Sequence, residues 1–224
     1  MPFELRARGW LSRHPAFAVI SIVLGVSIFA LLSWQLQTKG PMVQWDTQLA
    51  ATLHQMAVKT PSPILEFLTY GFFLGKEDLQ LLGAILIVYF LHKRFWPELG
   101  MVVFGWMGGS LIWNELIHYF NRARPQQQVG IEVRIASYPS GHSMFTALAL
   151  GLLAYLLIPN MPSRFWKWAV GVAILVIILF VGGTRVYEGG HYLSDVIAGY
   201  AVAAAWGAFV YTLMDWIAVR SRRE

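Results

Sequence analysis

Six apolar runs separated by polar or basic residues organise this chain: 17–36, 79–91, 99–120, 144–158, 168–186 and 191–218. A helix needs about twenty residues to cross hydrocarbon. Most of the runs approach that length, 79–91 only with its flanks. The pattern predicts an all-α polytopic membrane protein, a six-transmembrane helix bundle joined mostly by short connections. No small-residue cleavage site follows the first run, so it reads as a retained anchor and not as a removed signal. Residues 37–63 interrupt the pattern. Within them Trp45, Leu49, Leu53 and Met56 recur every three to four positions, the period of an amphipathic interfacial helix lying on a membrane surface between helices 1 and 2. Pro61 and Pro63 end it, and the apolar stretch 64–74 is too short to span and leads into the second run.

Composition sharpens this reading. With 57% hydrophobic and 13% charged residues, the chain exceeds what a soluble domain of its size carries, and its place is a membrane. Its 224 residues form a single membrane-embedded domain, 1–224, with 1–16 as a cytoplasmic N-terminal segment and 37–63 as an extracytoplasmic interfacial one. A net charge of +5 would suggest nucleic acid in a soluble protein. Here the basic residues stand at the ends of apolar runs and act as topology signals, so no nucleic-acid partner is expected. With the N-terminus inside, ten of the seventeen Lys and Arg residues are cytoplasmic: Arg6, Arg8, Arg13, Lys93, Arg94, Arg164, Lys167, Arg220, Arg222 and Arg223. Both termini then lie in the cytoplasm of a multi-pass inner (plasma) membrane protein. The chain has no cysteine, which removes disulfide and thiol chemistry. Trp34, Trp96, Trp113 and Trp216 near run ends read as an interfacial belt. Gly105, Gly108, Gly109 and the Gly/Ala-rich stretch 199–207 read as stripes that let helices approach closely.

The remaining polar residues fall into three groups. Tyr138-Pro139-Ser140-Gly141-His142 opens the fourth run, and a helix starting there aims unpaired N–H groups and its positive dipole end outward, as an anion site requires. Ser140 adds a hydroxyl and His142 a proton that can be exchanged near neutral pH. Alone, such a turn is more often a plain N-cap. Arg122-Ala123-Arg124-Pro125 follows the third run with guanidinium groups that match phosphate oxygens. Thr184-Arg185 closes the fifth run, and His191 and Asp195 open the sixth, four apart and so on one helical face. A carboxylate one turn from an imidazole can fix its tautomer. The predicted crossings put all three groups on the extracytoplasmic side. Glu115 and Asp215 read as solvated helix-end charges, and Glu188 faces either a substrate or its own loop. No set of cysteines or close carboxylates has metal-ligand spacing, so neither metal nor cofactor is expected.

Together the three groups resemble the type 2 phosphatidic acid phosphatase (PAP2) family, the integral-membrane branch of a superfamily that includes soluble acid phosphatases and vanadium haloperoxidases. The resemblance covers roughly residues 60 to 212. It implies that His191 is the nucleophile, that Asp195 holds its ring, and that His142 is the general acid and base. Arg124, Arg185, Ser140 and the backbone N–H of Gly141 would bind the phosphate, without a metal. The family's substrates are lipid phosphates and diphosphates. Undecaprenyl diphosphate is the leading expectation, with a broad glycerophospholipid phosphatase, or a non-catalytic lipid-phosphate binding or flipping protein, as alternatives. One departure stands out: the position seven before Arg124, a lysine in the family pattern, is Ile117. Arg122 is the favoured substitute as a further phosphate ligand, over His118 and Lys76.

Overall fold

The computed structural model describes residues 10–59, 76–125 and 136–220, and every regular element among them is helical. In chain order these are α1 (Trp10–Arg13), α2 (Pro15–Gln37), α3 (Pro41–Lys59), α4 (Lys76–Lys93), α5 (Trp96–Phe120), α6 (Gly141–Leu157), α7 (Arg164–Tyr187) and α8 (Leu193–Arg220), with a 3-10 turn, Ile158–Asn160, after α6. Arg6, Arg8, Arg222, Arg223, the Pro61 and Pro63 break and the 64–74 stretch lie outside the described residues, as does the side chain of Lys76.

Local chemistry sets the boundaries. Proline stands in the first turn of α2, α3 and α5, where its missing N–H costs nothing. The side chains of Ser140 and Ser163 cap α6 and α7 by accepting from the N–H groups of Ser143 and Trp166. Asn121 ends α5 in the left-handed region, at φ 42° and ψ 41°, and so turns the chain sharply into Arg122.

Among the described residues, four helices are long and apolar enough to cross a membrane: α2, α6 with its 3-10 extension, α7 and α8. The apolar part of α4, Leu81–Lys93, is shorter. α5 has 25 residues but carries Glu98, which is buried, and Glu115, which is exposed. Val19, Ile20, Val23, Leu24 and Val26 of α2 are each more than half exposed, a surface suited to hydrocarbon.

α8 is the hub of the bundle, packing against α2, α5 and α6 most closely and also against α1, α3 and α7. Two glycines set the spacing. A Cβ on Gly199 would lie 2.6 Å from the Ser140 carbonyl oxygen, and one on Gly25 would lie 2.5 Å from that of Ala201. The first contact puts the start of α6 directly on α8. Met144 and Leu148 then pack with Val202 and Ala203, and toward the other end Leu152 and Leu156 pack with Phe90, Met101, Val210 and Tyr211.

Two sequence expectations change. Asp215 is not solvated: it is fully buried, with Oδ2 accepting from the Ser12 N–H at 2.8 Å and Oδ1 from the Tyr155 hydroxyl at 2.7 Å. Trp113 is no belt residue, because its indole packs inward on Gly141. In α3, Trp45 and Met56 face outward, whereas Asp46, Ala50 and Ala57 are buried. At about 100° per residue, Asp46, Ala50 and Ala57 form a stripe beside the apolar one.

Candidate active site

Three segments meet where α5 and α7 end and α6 and α8 begin. Backbone groups do most of the joining. The Ser137 N–H donates to the Arg122 carbonyl at 2.8 Å, and its hydroxyl donates to that of Ala123 at 3.2 Å. The Ser140 N–H donates to the Asp195 carbonyl at 2.9 Å, and the N–H groups of Gly190 and His191 both reach the Arg185 carbonyl at 3.1 Å. Arg124 Nη1 donates to the Gly190 carbonyl at 2.8 Å. Each of the three sequence groups is thus tied to another.

Tyr138 anchors the strap before α6. It is fully buried, stacks on Phe29, meets Phe120 edge-on and shares a 2.9 Å hydrogen bond with Ser33. Burial pushes its hydroxyl up to about 12, against the lowering effect of Ser33, so it stays protonated in ordinary buffers. Trp113 donates from Nε1 to the Pro139 carbonyl at 3.1 Å, and a Cβ on Gly141 would lie 2.9 Å from its ring. At Gly141 the absent side chain therefore makes room for an indole.

His191 lies in the turn before α8, not on the helix face that its spacing from Asp195 suggests. Its Nδ1 is 2.8 Å from the Ser137 carbonyl oxygen and 3.7 Å from Asp195 Oδ2. A carbonyl only accepts, so Nδ1 carries the proton and the lone pair of the neutral ring sits on Nε2. The ring is oriented by a backbone carbonyl, with the Asp195 charge just beyond hydrogen-bond range. Asp195 is fully buried; Oδ2 accepts from the Tyr192 N–H at 2.8 Å and Oδ1 from Arg122 Nη1 at 2.6 Å.

Arg122 departs from its expected place in the phosphate shell. Its guanidinium is buried, donates to Asp195, to Ser194 Oγ at 2.8 Å and to Asp46 Oδ2 at 2.9 Å, and lies 3.8 Å over the Tyr192 ring. Two carboxylates, a hydroxyl and an aromatic face thus hold the group that was to grip phosphate. His118 does not replace the lysine either: it is exposed on α5 and its Nδ1 is 2.6 Å from the Asn114 carbonyl of its own helix, while Ile117 is buried.

Arg124 and Arg185 are the half-buried cations of the site. Burial lowers the Arg124 pKa, Asp195 raises it and Arg185 lowers it. Two guanidiniums close enough to repel would share an anion readily. Glu188 forms an ion pair with Arg185 at 3.3 Å. Ser140 is fully buried and its oxygen accepts from the N–H and hydroxyl of Ser143. His142 follows in the first turn of α6, half-buried. Sequence reasoning missed Ser137, Ser194 and Asp46. Only Asp46 left a signal, as an acid on a stripe with Ala50 and Ala57, where a carboxylate needs a partner.

Fold and residues together define a class: a helical membrane protein with a histidine and arginine site at one end of its bundle. Residues 98–218 match the PAP2 superfamily, and the chain belongs to that family, which makes it a relative of phosphatases. It is 30% identical over 173 residues to phosphatidylglycerophosphatase B of Bacillus subtilis (strain 168), covering 69% of this chain and 83% of that one. It is 23% identical over 192 residues to an undecaprenyl-diphosphatase of Sulfolobus acidocaldarius, covering 82% and 85%. Its fold is similar to the crystal structure of a transmembrane PAP2-type phosphatidylglycerolphosphate phosphatase from Bacillus subtilis, with TM-score 0.69, 24% identity and coverage of 88% and 96%.

Proposed function

We propose that this protein hydrolyses a membrane lipid phosphate or diphosphate on the extracytoplasmic face through a phosphohistidine at His191. The observation that carries the reading is the 2.8 Å contact between His191 Nδ1 and the Ser137 carbonyl, which presents Nε2 as a nucleophile beside Arg124 and Arg185. Nε2 attacks phosphorus in line, and the bond to the lipid oxygen breaks as His142 delivers a proton to it. Arg124, Arg185, Ser140 and the Gly141 N–H hold the equatorial oxygens, where charge gathers in the transition state. Asp195 stabilises the positive ring of the phosphoimidazole. His142 then takes a proton from water, which attacks the phosphohistidine and releases inorganic phosphate.

In this reading the chain crosses six times with both termini inside and α3 along the outer surface, so that a lipid keeps its tail in the bilayer and offers its head to the arginines. Undecaprenyl diphosphate is the leading substrate, since an outward site suits recycling of a carrier lipid. A glycerophospholipid phosphatase is the second reading, favoured by the higher identity to phosphatidylglycerophosphatase B. Phosphate release by purified protein from undecaprenyl diphosphate, phosphatidylglycerol phosphate and phosphatidic acid, each with EDTA present, tests both. Release from the first above the others is expected. Release only from the glycerophospholipids would favour the second reading. Binding without release from any would leave a lipid-phosphate binding protein, and loss with EDTA restored by Mg²⁺ would overturn the metal-free scheme.

A further inference from the structure

We propose that Asp46, on α3, is a positioning residue for the nucleophile: through Arg122 it fixes Asp195 and keeps a net negative charge behind His191. The proposal rests on the phosphatase reading above. Asp46 is 5% exposed, although it belongs to a helix with an outward apolar edge at Trp45 and Met56. Its Oδ2 accepts from Arg122 Nη2 at 2.9 Å, its Oδ1 from the Ser194 N–H at 3.2 Å, and it is hydrogen-bonded to the Ser194 hydroxyl. Arg122 Nη1 in turn bonds Ser194 Oγ at 2.8 Å and Asp195 Oδ1 at 2.6 Å. Asp46 therefore grips the start of α8 both directly and through the arginine. That leaves Asp195 Oδ2 to the Tyr192 N–H at 2.8 Å, and at 3.7 Å from His191 Nδ1.

The charge count explains why a second carboxylate is needed. Arg122 alone would cancel Asp195, and a neutral pair would do little for the cation that forms on the ring as Nε2 takes up phosphorus. Asp46 makes the group two carboxylates and one guanidinium, a single net negative charge, all at most 9% exposed, where attraction is screened least. Burying three charges is costly, and a plain fastening between α3 and α8 would be as stable built from apolar side chains. The arrangement makes sense where charge is wanted.

The test compares parent, His191→Ala, Asp46→Asn and the double variant Asp46→Asn/Arg122→Gln, with kcat and KM on the best lipid phosphate and unfolding followed in detergent. Asp46→Asn should lower kcat by about 10- to 100-fold, the usual loss when an outer partner that orients a functional group is removed, with KM changed less than about threefold. The double variant restores one net negative charge and should recover several-fold of the lost kcat, whereas a purely structural fastening would lose more. A kcat within twofold of the parent in Asp46→Asn overturns the proposal, as does a rise in KM at constant kcat, or a double variant slower than the single. Should Asp46→Asn not fold, the double variant decides alone: kcat within about tenfold of the parent supports the charge role, and a deeper fall overturns it. A parent that releases no phosphate overturns the phosphatase reading, and this proposal with it. Turnover that is lost in His191→Ala but normal in Asp46→Asn sinks only the latter.

Discussion

Helix α8 buries a carboxylate near each of its ends, and the surroundings of the two differ. Asp195 and Asp215 are both fully buried. Around Asp215 the partners include the Ser12 N–H and the Tyr155 hydroxyl, and the result is that short α1 is fastened to the bundle. Around Asp195 stand the Tyr192 N–H and the His191 ring, from the turn just before it, and Arg122, brought in from the end of α5. Burial by itself does not separate the two. What separates them is an imidazole with a defined lone pair, and two further cations nearby, Arg124 and Arg185, close enough to influence one another.

The comparison can be broken most sharply at His191. Substitution by alanine removes the proposed nucleophile and should reduce phosphate release to background while the protein still folds. Normal turnover in that variant would end the assignment. Next comes Asp195→Asn, expected to slow kcat by about 10²- to 10⁴-fold. Since the Ser137 carbonyl holds Nδ1, the loss should come from missing charge, and single-turnover rates should fall in the phosphorylation step. Arg124→Ala and Arg185→Ala each remove a proposed transition-state donor and should cost about 10²- to 10³-fold in kcat/KM. Activity within a few-fold in both would move the phosphate elsewhere. At the opposite end, Asp215→Asn should leave kcat per folded molecule within about twofold yet cost about 1–3 kcal/mol of stability, because hydrogen-bond donors lose a charged acceptor in a buried site. Thermal unfolding and kinetics on the same preparation check both halves. A fall in kcat comparable to that of Asp195→Asn would erase the distinction between the ends.

The apolar runs made α2, α6, α7 and α8 legible, because a helix that crosses hydrocarbon must be apolar over most of its length. They said less about α4 and α5, whose shorter run and acidic residues weaken the same signal. The serine cap at Ser140 was readable from local sequence, and the gathering of the three polar groups at one end of the bundle from the order of the predicted crossings. Two features were not. The group that orients His191 is a main-chain carbonyl, and no side-chain pattern announces it. Between Arg122 and Arg124, spacing alone could not say which guanidinium is buried between two carboxylates; the hydrogen bonds show that it is Arg122. Asp46 was hidden by the apolar stripe beside it on α3, since Trp45, Leu49, Leu53 and Met56 already explained that helix as an amphipathic one.

The central claim is that phosphorus passes through His191. Its most direct test is an acid-labile, base-stable phosphoenzyme trapped by rapid quench from radiolabelled lipid phosphate and located by peptide mapping. The expected result is label on the peptide containing His191, formed faster than steady-state release and absent from His191→Ala. Label on another residue, or full turnover in a parent enzyme that carries no label at any quench time, would contradict the account.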